Sequence, residues 1–523
     1  MWAALMAELY RSTSSMVASA LSRNVVIGVL VIMTVVFIGY FWMNGIKDIV
    51  YTVFYHVWLK HHVILPPARH LDVEPLVVLV YCTCNDFNGQ SLLASMRQDY
   101  RRFTTVILDD STKSEYLLAI DKFAGEHGIE VIRRKDNSGF KAGNLNNYLK
   151  EAKYDYFVIL DSDEIIPQKF IRRGLDYFAA SQKTGIVQAN HWATRNRTPF
   201  MKMFARGVDS HWPTYQLVKD RYGFLSLLGH GAMVSRRCYQ AAGGFPHVVA
   251  EDICFSIAAR RAGFMTAFAP DILCEEEYPV DFTAFKRRHG KWTEGNMEFI
   301  RKNTWKILIG KMTWYEKLDI VLFTYSLPLT ALFSLYVVIN AIIFPAIGYT
   351  FRYPLWMLAP TFLFLIAPML NDIVTYWKKM EKGSLLSYLL HSTLLYGSMY
   401  FVSLRASFKS ALGKSVFHVT PKNSTAVRFR EAIRLSAGEL VFGIVLAASV
   451  IGVAGSILPV ILLALPAVFA PYLTVMHHEE DFLYESQRAG LAALIDASRP
   501  RFTAEASRTR NRVRRPSGPD RRL

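Results

Sequence analysis

The chain has 523 residues, 52% hydrophobic and 20% charged, with a formal net charge of +17. That length suits one large catalytic domain plus a membrane region, or two to three ordinary domains, and the balance is apolar for a soluble protein. The basic surplus is compatible with nucleic acid, a membrane surface or anionic substrates. Part of it lies in a tail at Arg501, Arg508, Arg510, Arg512, Arg514, Arg515, Arg521 and Arg522, where no aromatic residue follows Phe502. The absence of stacking residues argues against nucleic acid, and a tail held near anionic lipid is the expectation. The cysteines are Cys82, Cys84, Cys238, Cys254 and Cys274, with no CxxC pair. Structural zinc is therefore not expected, and the odd, scattered count points to a reducing compartment, hence a cytoplasmic globular part.

Along the chain, residues 24–43 carry no charge and are long enough to cross a bilayer. A signal peptide is the rival reading, but no small-residue cleavage site follows. Residues 48–65 are aromatic and apolar yet hold Lys60, His61 and His62, which fits either a second crossing or an interfacial helix. From residue 75 to about 278 the pattern changes. Short β-branched runs at 76–81, 104–108, 130–133 and 156–160 alternate with helical stretches at 91–98, 115–126 and 145–151. This alternation predicts a mostly parallel sheet flanked by helices, with ligands collecting beyond the carboxyl ends of the strands.

After Trp314 the membrane pattern returns. Residues 318–349 and 356–377 are each long enough to span, and 440–473 reads as two spans joined by a tight turn at Gly455, Ser456 and Pro459. Residues 385–404 are apolar but flecked with His391, Ser392, Tyr396 and Ser398, so an interfacial helix is expected there. Only that assignment puts Lys378, Lys379, Lys382, Lys409 and the arginine tail on one side of the membrane. No internal repeat is present.

Chemistry concentrates at a few positions. Asp161-Ser162-Asp163 directly follows the predicted strand 156–160, and two carboxylates so spaced can share a hard divalent cation that also binds a diphosphate. Acid-x-acid triplets are common on surfaces, so the triplet needs context. Asp109-Asp110 ends an earlier strand and points to the same sheet edge. Gly139 to Asn146 offers Lys141 and a flexible backbone to a phosphate before a helix begins. Ala250-Glu251-Asp252 precedes an apolar helix-like run, where Asp252 is either an N-cap or a general base. His191, Trp192, His211, Trp212 and Tyr215 form an aromatic patch that suits a sugar face or core packing equally.

In this order the pieces resemble family 2 glycosyltransferases with a GT-A fold, in particular the membrane synthases related to cellulose synthase. The resemblance runs from about residue 75 to 292 and continues into the membrane part. It implies an α/β, Rossmann-like GT-A catalytic domain in the cytoplasm joined to α-helical transmembrane segments. Thr83-Cys84-Asn85-Asp86 resembles the turn after the family's first strand, and Asp109 and Asp110 match its nucleoside-contacting pair. Lys141 to Asn146 matches the Lys-Ala-Gly-x-Leu-Asn block, and Asp161 and Asp163 match the Asp-x-Asp that holds Mg²⁺ or Mn²⁺. Ala250-Glu251-Asp252 stands where the family has Thr-Glu-Asp, which implies that Asp252 deprotonates the acceptor.

Two blocks depart from the pattern. Arg288-His289-Gly290-Lys291-Trp292 stands where the family has Gln-x-x-Arg-Trp. Trp292 is kept and Lys291 keeps positive charge for a phosphate, but lysine lacks the arginine fork and Arg288 replaces glutamine. In Leu228-Gly229-His230-Gly231-Ala232, His230 replaces a small residue and is either a satisfied loop histidine or an acceptor contact. Phe417-His418-Val419-Thr420-Pro421-Lys422 resembles the gating loop of cellulose synthases, in which Thr420 and Lys422 would meet the diphosphate while Phe417 and Val419 latch the loop.

The expected division is an N-terminal membrane or interfacial region at 1–71, a GT-A domain at 72–311, and a membrane region at 312–476 holding a gating loop at 412–425. A basic cytoplasmic tail follows at 477–523. The implied activity is inverting, processive transfer from a UDP-sugar, UDP-glucose first among donors, to a growing β-linked polysaccharide exported through a plasma or bacterial inner membrane. N-acetylglucosamine and mannose donors also fit the shared motifs, and accessory export proteins are compatible partners. Donor-binding positions are Thr83, Asp86, Asp110, Lys141, Asp161, Lys291, Thr420 and Lys422; acceptor-binding positions are Trp292, His230 and Glu251. One alternative is transfer of a single sugar to a lipid carrier, which product size separates. Another is a transporter or receptor with a nucleotide-binding domain, disfavoured by the scarcity of intramembrane charge and the absence of a Walker loop.

Overall fold

The computed structural model describes residues 2–68, 73–193, 196, 198–349, 355–413 and 427–476. Its centre is a seven-stranded sheet: β1 (Val77–Thr83), β2 (Phe103–Asp109), β3 (Glu130–Arg133), β4 (Tyr156–Leu160), β5 (Thr184–Ala193), β6 (Ala232–Ser235) and β7 (Met265–Glu276). The spatial order is β3-β2-β1-β4-β6-β5-β7.

The sequence of β1, Val-Val-Leu-Val-Tyr-Cys-Thr, explains its central place. Successive side chains of a strand point to opposite faces, so a run that is apolar throughout must be covered on both. Leu79 and Tyr81 join Ile107, Val158 and Leu160 on one face. Val78 and Val80 join Val106, Leu108, Phe157 and Ile159 on the other. The crossovers are helices Gly89–Ser95, Ser114–His127 and Phe140–Leu149. The second ends on Gly128 at φ +64, the left-handed stop that glycine accepts readily.

The predicted parallel sheet is found for β3, β2, β1 and β4. The sheet as a whole is mixed, because β6 runs antiparallel to both β4 and β5. Together with the flanking helices this is the α/β GT-A arrangement. From β1 the chain winds outward to β2 and β3, then returns to place β4 on β1's other side, and ligand crevices form at such a reversal. Register aligns Thr83 with Asp109 and Asp109 with Arg133, while Leu160 pairs Tyr81. The motif residues that follow these strands therefore share one edge.

Among the described residues, five helices are long and apolar enough to cross a membrane: Val25–His61, Ser326–Ala346, Met357–Tyr376, Ala437–Ala454 and Leu458–Val475. The stretch at 24–43 and the first part of 48–65 share one helix, Val25–Val57, continued by a short turn at Leu59–His61, so no break separates a first crossing from a second element; residues 62–65 are irregular. The turn between the last two spans contains Gly455 at φ +70. Helix Lys382–Ala411, which contains 385–404, is outside that group of five and packs along helix Phe282–Ile309. Polar contacts fasten the sheet domain to the membrane helices. Tyr51 donates to Asp319 at 2.6 Å and Tyr215 to Asp48 at 2.8 Å. The second Asp319 oxygen accepts from the Phe224 backbone at 2.9 Å. Buried carboxylates so partnered specify a docking geometry, because removing either partner leaves a costly unpaired group.

Candidate active site

The residues after β1 and β2 are held by short-range chemistry. Asp86 Oδ1 accepts from Thr83 Oγ1 and from the Cys84 backbone N–H, both at 2.9 Å, and Oδ2 accepts from Ser162 Oγ at 2.8 Å. Asp86 thus ties the first turn to the middle of the Asp-Ser-Asp triplet. Asn85 takes a left-handed backbone at φ 59 while its side-chain oxygen accepts from the Thr112 and Lys113 N–H groups. Asp109 pairs with Arg133 Nε at 2.7 Å. Asp110 receives the Arg134 fork at 2.8 and 2.6 Å, and the same guanidinium donates to the Ser138 and Phe140 carbonyls. Asp109 and Asp110 are therefore already neutralised by arginines of the segment leading into helix Phe140–Leu149.

Lys141 lies in the first turn of that helix. Its Nζ donates to Asp161 Oδ1 at 2.5 Å and to the Gly229 carbonyl at 2.8 Å. Burial works against the ammonium, but Asp161, with help from Cys82 and Glu251, outweighs it and raises the Lys141 pKa above the ordinary range. Asp161 keeps 41% of its side chain accessible, whereas Asp163 is buried. Two carboxylates and no soft ligand make a donor set for a hard cation such as Mg²⁺ or Mn²⁺, and the Lys141 ammonium stands where positive charge is already required.

Glu251 and Asp252 open helix Glu251–Arg261, whose N-cap is Ala250 and lacks a side-chain cap. Asp252 is therefore past the N-cap position, and its Oδ1 accepts from the Ile253 N–H at 2.8 Å. Burial raises the Asp252 carboxyl. Burial and then the Asp252 charge raise Glu251 to about 7, with Lys141 and Lys291 opposing. Gly229 lies against the pair: a Cβ there would stand 3.3 Å from Asp252 Oδ2. The Lys141 contact to the Gly229 carbonyl thus brings the triplet, the lysine and Asp252 around one turn.

The degenerate Arg-His-Gly-Lys-Trp block lies inside helix Phe282–Ile309. Trp292 is 43% exposed, with the Arg288 guanidinium 4.5 Å from its ring centroid, the two being one helical turn apart. Lys291 is lowered by burial, while Glu251 and Asp161 oppose the shift. His289 faces the other way and meets Ser403 Oγ at 2.7 Å. The block thus joins the site to helix Lys382–Ala411.

A cluster the motifs did not announce lies behind the triplet. The His230 ring fits between two carboxylates, Nδ1 at 3.4 Å from Glu164 and Nε2 at 3.4 Å from Glu276. His191 stacks on it at 4.6 Å and 12°, and Trp212 stacks on the opposite face of His191 at 5.3 Å. His211 packs against Tyr215, and Tyr215 is buried against Tyr51, so part of the aromatic patch serves the domain junction. Glu164 follows Asp163 directly, an adjacency visible in sequence. Glu276 carried no signal, because only the β5–β7 pairing brings it beside His191. Arg134 was missed because only the pairing of β2 with β3 carries it to Asp110.

The structure thus gathers Thr83, Asp86, Asp110, Lys141, Asp161, Asp163, His230, Glu251, Asp252, Lys291 and Trp292 along one side of the sheet and the helix beneath it. Phe417, Val419, Thr420 and Lys422, together with Arg195 and Arg197, lie outside the described residues.

Comparison with known proteins bears on this geometry. A family model for Glycosyl transferase family group 2 matches residues 156–370. The cellulose synthase catalytic subunit (UDP-forming) of Xanthomonas axonopodis pv. citri is 28% identical over 178 residues, 32% of this chain and 23% of that protein. Putative cellulose synthase 2 of Komagataeibacter xylinus is 27% identical over 226 residues, 42% of this chain and 14% of that protein. The chain therefore spans less than a quarter of the length of these relatives. Among solved structures, a Pyrobaculum calidifontis mannosyltransferase in complex with GDP-Man and Mn²⁺ aligns with a TM-score of 0.45 and 15% identity, over 72% of this chain and 100% of that one. S. aureus TarS residues 1–349 in complex with UDP-GlcNAc aligns at 0.32 and 13%, over 68% and 96%.

Proposed function

We propose that the chain acts as a cellulose synthase-like family 2 glycosyltransferase and moves a sugar from a UDP-sugar, with UDP-glucose the first candidate, onto a growing β-linked polysaccharide. The observation that carries this reading is the convergence of Lys141, Asp161 and Asp252 on the Gly229 turn. Asp252 accepts the proton of an acceptor hydroxyl as that oxygen attacks the anomeric carbon. The bond from that carbon to the diphosphate oxygen breaks, and the nucleoside diphosphate leaves with inversion. The raised pKa of the Asp252 carboxyl suits a base that must hold a proton briefly near neutral pH.

Asp161 and Asp163 would hold Mg²⁺ or Mn²⁺, which when bound supplies positive charge to the departing diphosphate. Thr83, Asp86 and Asp110 serve the nucleoside side. Lys141 and Lys291 serve the phosphates, with Lys291 standing in for the family's arginine. Trp292, Glu251 and His230 serve the acceptor side, the exposed Trp292 ring being a surface on which a sugar can stack. Phe417, Val419, Thr420 and Lys422 are proposed, from sequence, as a loop that closes over the donor.

The catalytic domain is proposed at 72–311 facing the cytoplasm of a plasma or bacterial inner membrane, with product leaving through the membrane region at 312–476. Residues 1–71 form the N-terminal membrane region and 477–523 a basic cytoplasmic tail. The test is incubation of the purified protein with UDP-glucose, UDP-N-acetylglucosamine and GDP-mannose plus Mg²⁺ or Mn²⁺, measuring released nucleotide and sizing the product. A polymer supports processive synthesis, a single-sugar lipid product replaces it, and no release from any donor overturns the reading.

A further inference from the structure

The Gly229-His230-Gly231 turn is pinned through its three carbonyls and the Gly231 N–H. The Gly231 N–H donates to Glu164 Oε2 at 2.9 Å, and the Gly231 carbonyl accepts from the Ala189 N–H at 3.0 Å. Gln188 Nε2 donates to the His230 and Gly231 carbonyls, and its Oε1 accepts from the Leu228 N–H. The His230 ring spans the gap between Glu164, beside the Asp-Ser-Asp triplet, and Glu276, at the end of β7. The remaining carbonyl of the turn, at Gly229, receives Lys141.

We propose that His230 is a positioning residue: its ring, clamped between the carboxylates of Glu164 and Glu276, fixes the Gly229–Gly231 turn and through it the placement of Lys141 against Asp161 and of the Asp252 carboxylate. The inference rests on the transferase reading of the site and adds a role to two glutamates that the motifs do not use.

Charge explains the clamp. Two buried carboxylates on either side of one ring repel unless a cation lies between them. Burial disfavours that cation and raises both glutamates, but Glu164, Asp161 and Glu276 acting together outweigh it at the ring and raise His230 to about 10. His191, stacked on the cation and buried, is driven well below its ordinary value by burial and by the His230 charge, so the pair consists of one imidazolium and one neutral ring. Two trios, Glu164-His191-Cys274 and His191-His230-Glu276, also have ligand atoms within 4.8 Å of one another. Ring geometry disfavours a metal shared by the two histidines of the second. Lone pairs lie in the ring planes, and rings 4.6 Å apart at 12° point theirs side by side, so a metal about 2.1 Å from one nitrogen cannot lie in the plane of the other ring.

The experiment uses the full chain with His230→Gln, Glu276→Gln and the double variant, each assayed with UDP-glucose, or with the donor that the panel shows to be used, and Mn²⁺. His230→Gln should lower kcat about tenfold or more while the donor KM moves less than about threefold, since geometry and not ground-state binding is lost. Adding Glu276→Gln removes the uncompensated carboxylate, so the double variant should recover a substantial part of kcat instead of multiplying the two losses. Multiplied losses overturn the proposal. So does a rise in acceptor KM with kcat intact, which makes His230 an acceptor contact only. So does stoichiometric zinc in the purified protein that disappears in His191→Ala. If the parent chain releases no nucleotide from any donor, the transferase reading fails separately, and the clamp is then read from Tm. His230→Gln should lower it and the double variant restore it; no restoration sinks the clamp as well.

Discussion

Lys141 Nζ stands 2.5 Å from Asp161 Oδ1, so an ammonium already neutralises the carboxylate proposed to share a divalent cation. On the proposed reading, lysine and metal would compete for Asp161 until a diphosphate offered the ammonium oxygens of its own. Lys141→Met should tighten Mn²⁺ binding to the nucleotide-free protein by about three- to tenfold, because one charge-assisted contact no longer has to be broken. The same variant should weaken UDP binding in the presence of Mn²⁺ by about tenfold or more, for loss of a phosphate contact of that kind. Calorimetric titration of Mn²⁺ alone, then of UDP with Mn²⁺ held constant, reads both. Unchanged Mn²⁺ affinity would show that the pair does not guard the metal position.

The Glu251–Asp252 pair predicts opposite pH trends for rate and stability. A base must be unprotonated to act, so with both carboxyls raised the acid limb of kcat/KM should lie above the ordinary carboxylate range, as a property of the coupled pair. For stability the sign reverses. A carboxyl whose folded pKa is raised favours the folded state below its ordinary value near 4.5, and this contribution is lost as pH rises through about 7. Glu251→Gln should thus gain Tm over the parent at pH 8 and show no gain at pH 4.5. Asp252→Asn should abolish transfer while leaving UDP binding intact, and normal turnover in that variant would remove Asp252 from the base role.

Arg134 joins Asp110 to the chain that starts helix Phe140–Leu149. The pair is 9% exposed on each side, so deleting the guanidinium strands a buried carboxylate at a cost of about 3–5 kcal/mol. Arg134→Ala should lower stability by that order and weaken UDP binding. Arg134→Lys should recover only part, because an ammonium cannot fork onto both Asp110 oxygens while holding two carbonyls. Full recovery by lysine would mean that charge alone matters there.

Gly231 has φ +57, and a Cβ there would collide with His191 Nε2 and Glu164 Oε1. Gly231→Ala should cost about 1–3 kcal/mol, the range for forcing atoms into a packed interior. It should also lower kcat by disturbing the turn that holds Lys141. Gly243, at φ +81 with nothing within 4 Å, is the control: Gly243→Ala should lose stability through backbone strain alone and keep its kcat. Equal effects on kcat at the two positions would remove the special standing of the 229–231 turn.

Much of this protein was legible in its sequence. The uncharged run after Asn24, the β-branched runs of the parallel half of the sheet, and the placement of Asp109, Asp110 and Asp161 at strand ends follow from periodicity and polarity, which act locally. The tertiary structure decided what depends on pairing between distant segments. β6 entered antiparallel between β4 and β5, which no run of residues announced, because strand direction is set by connections and packing. The parting of His191 from a generic aromatic patch, to stack on His230, was decided the same way. The pairing of β5 with β7 brings Glu276 beside His191, and a bridge between Ile165 and Glu275 joins β7 to the turn carrying Glu164. Two carboxylates far apart in the chain thereby face one imidazole, and only a folded interior, where water no longer screens their charge, makes that arrangement matter.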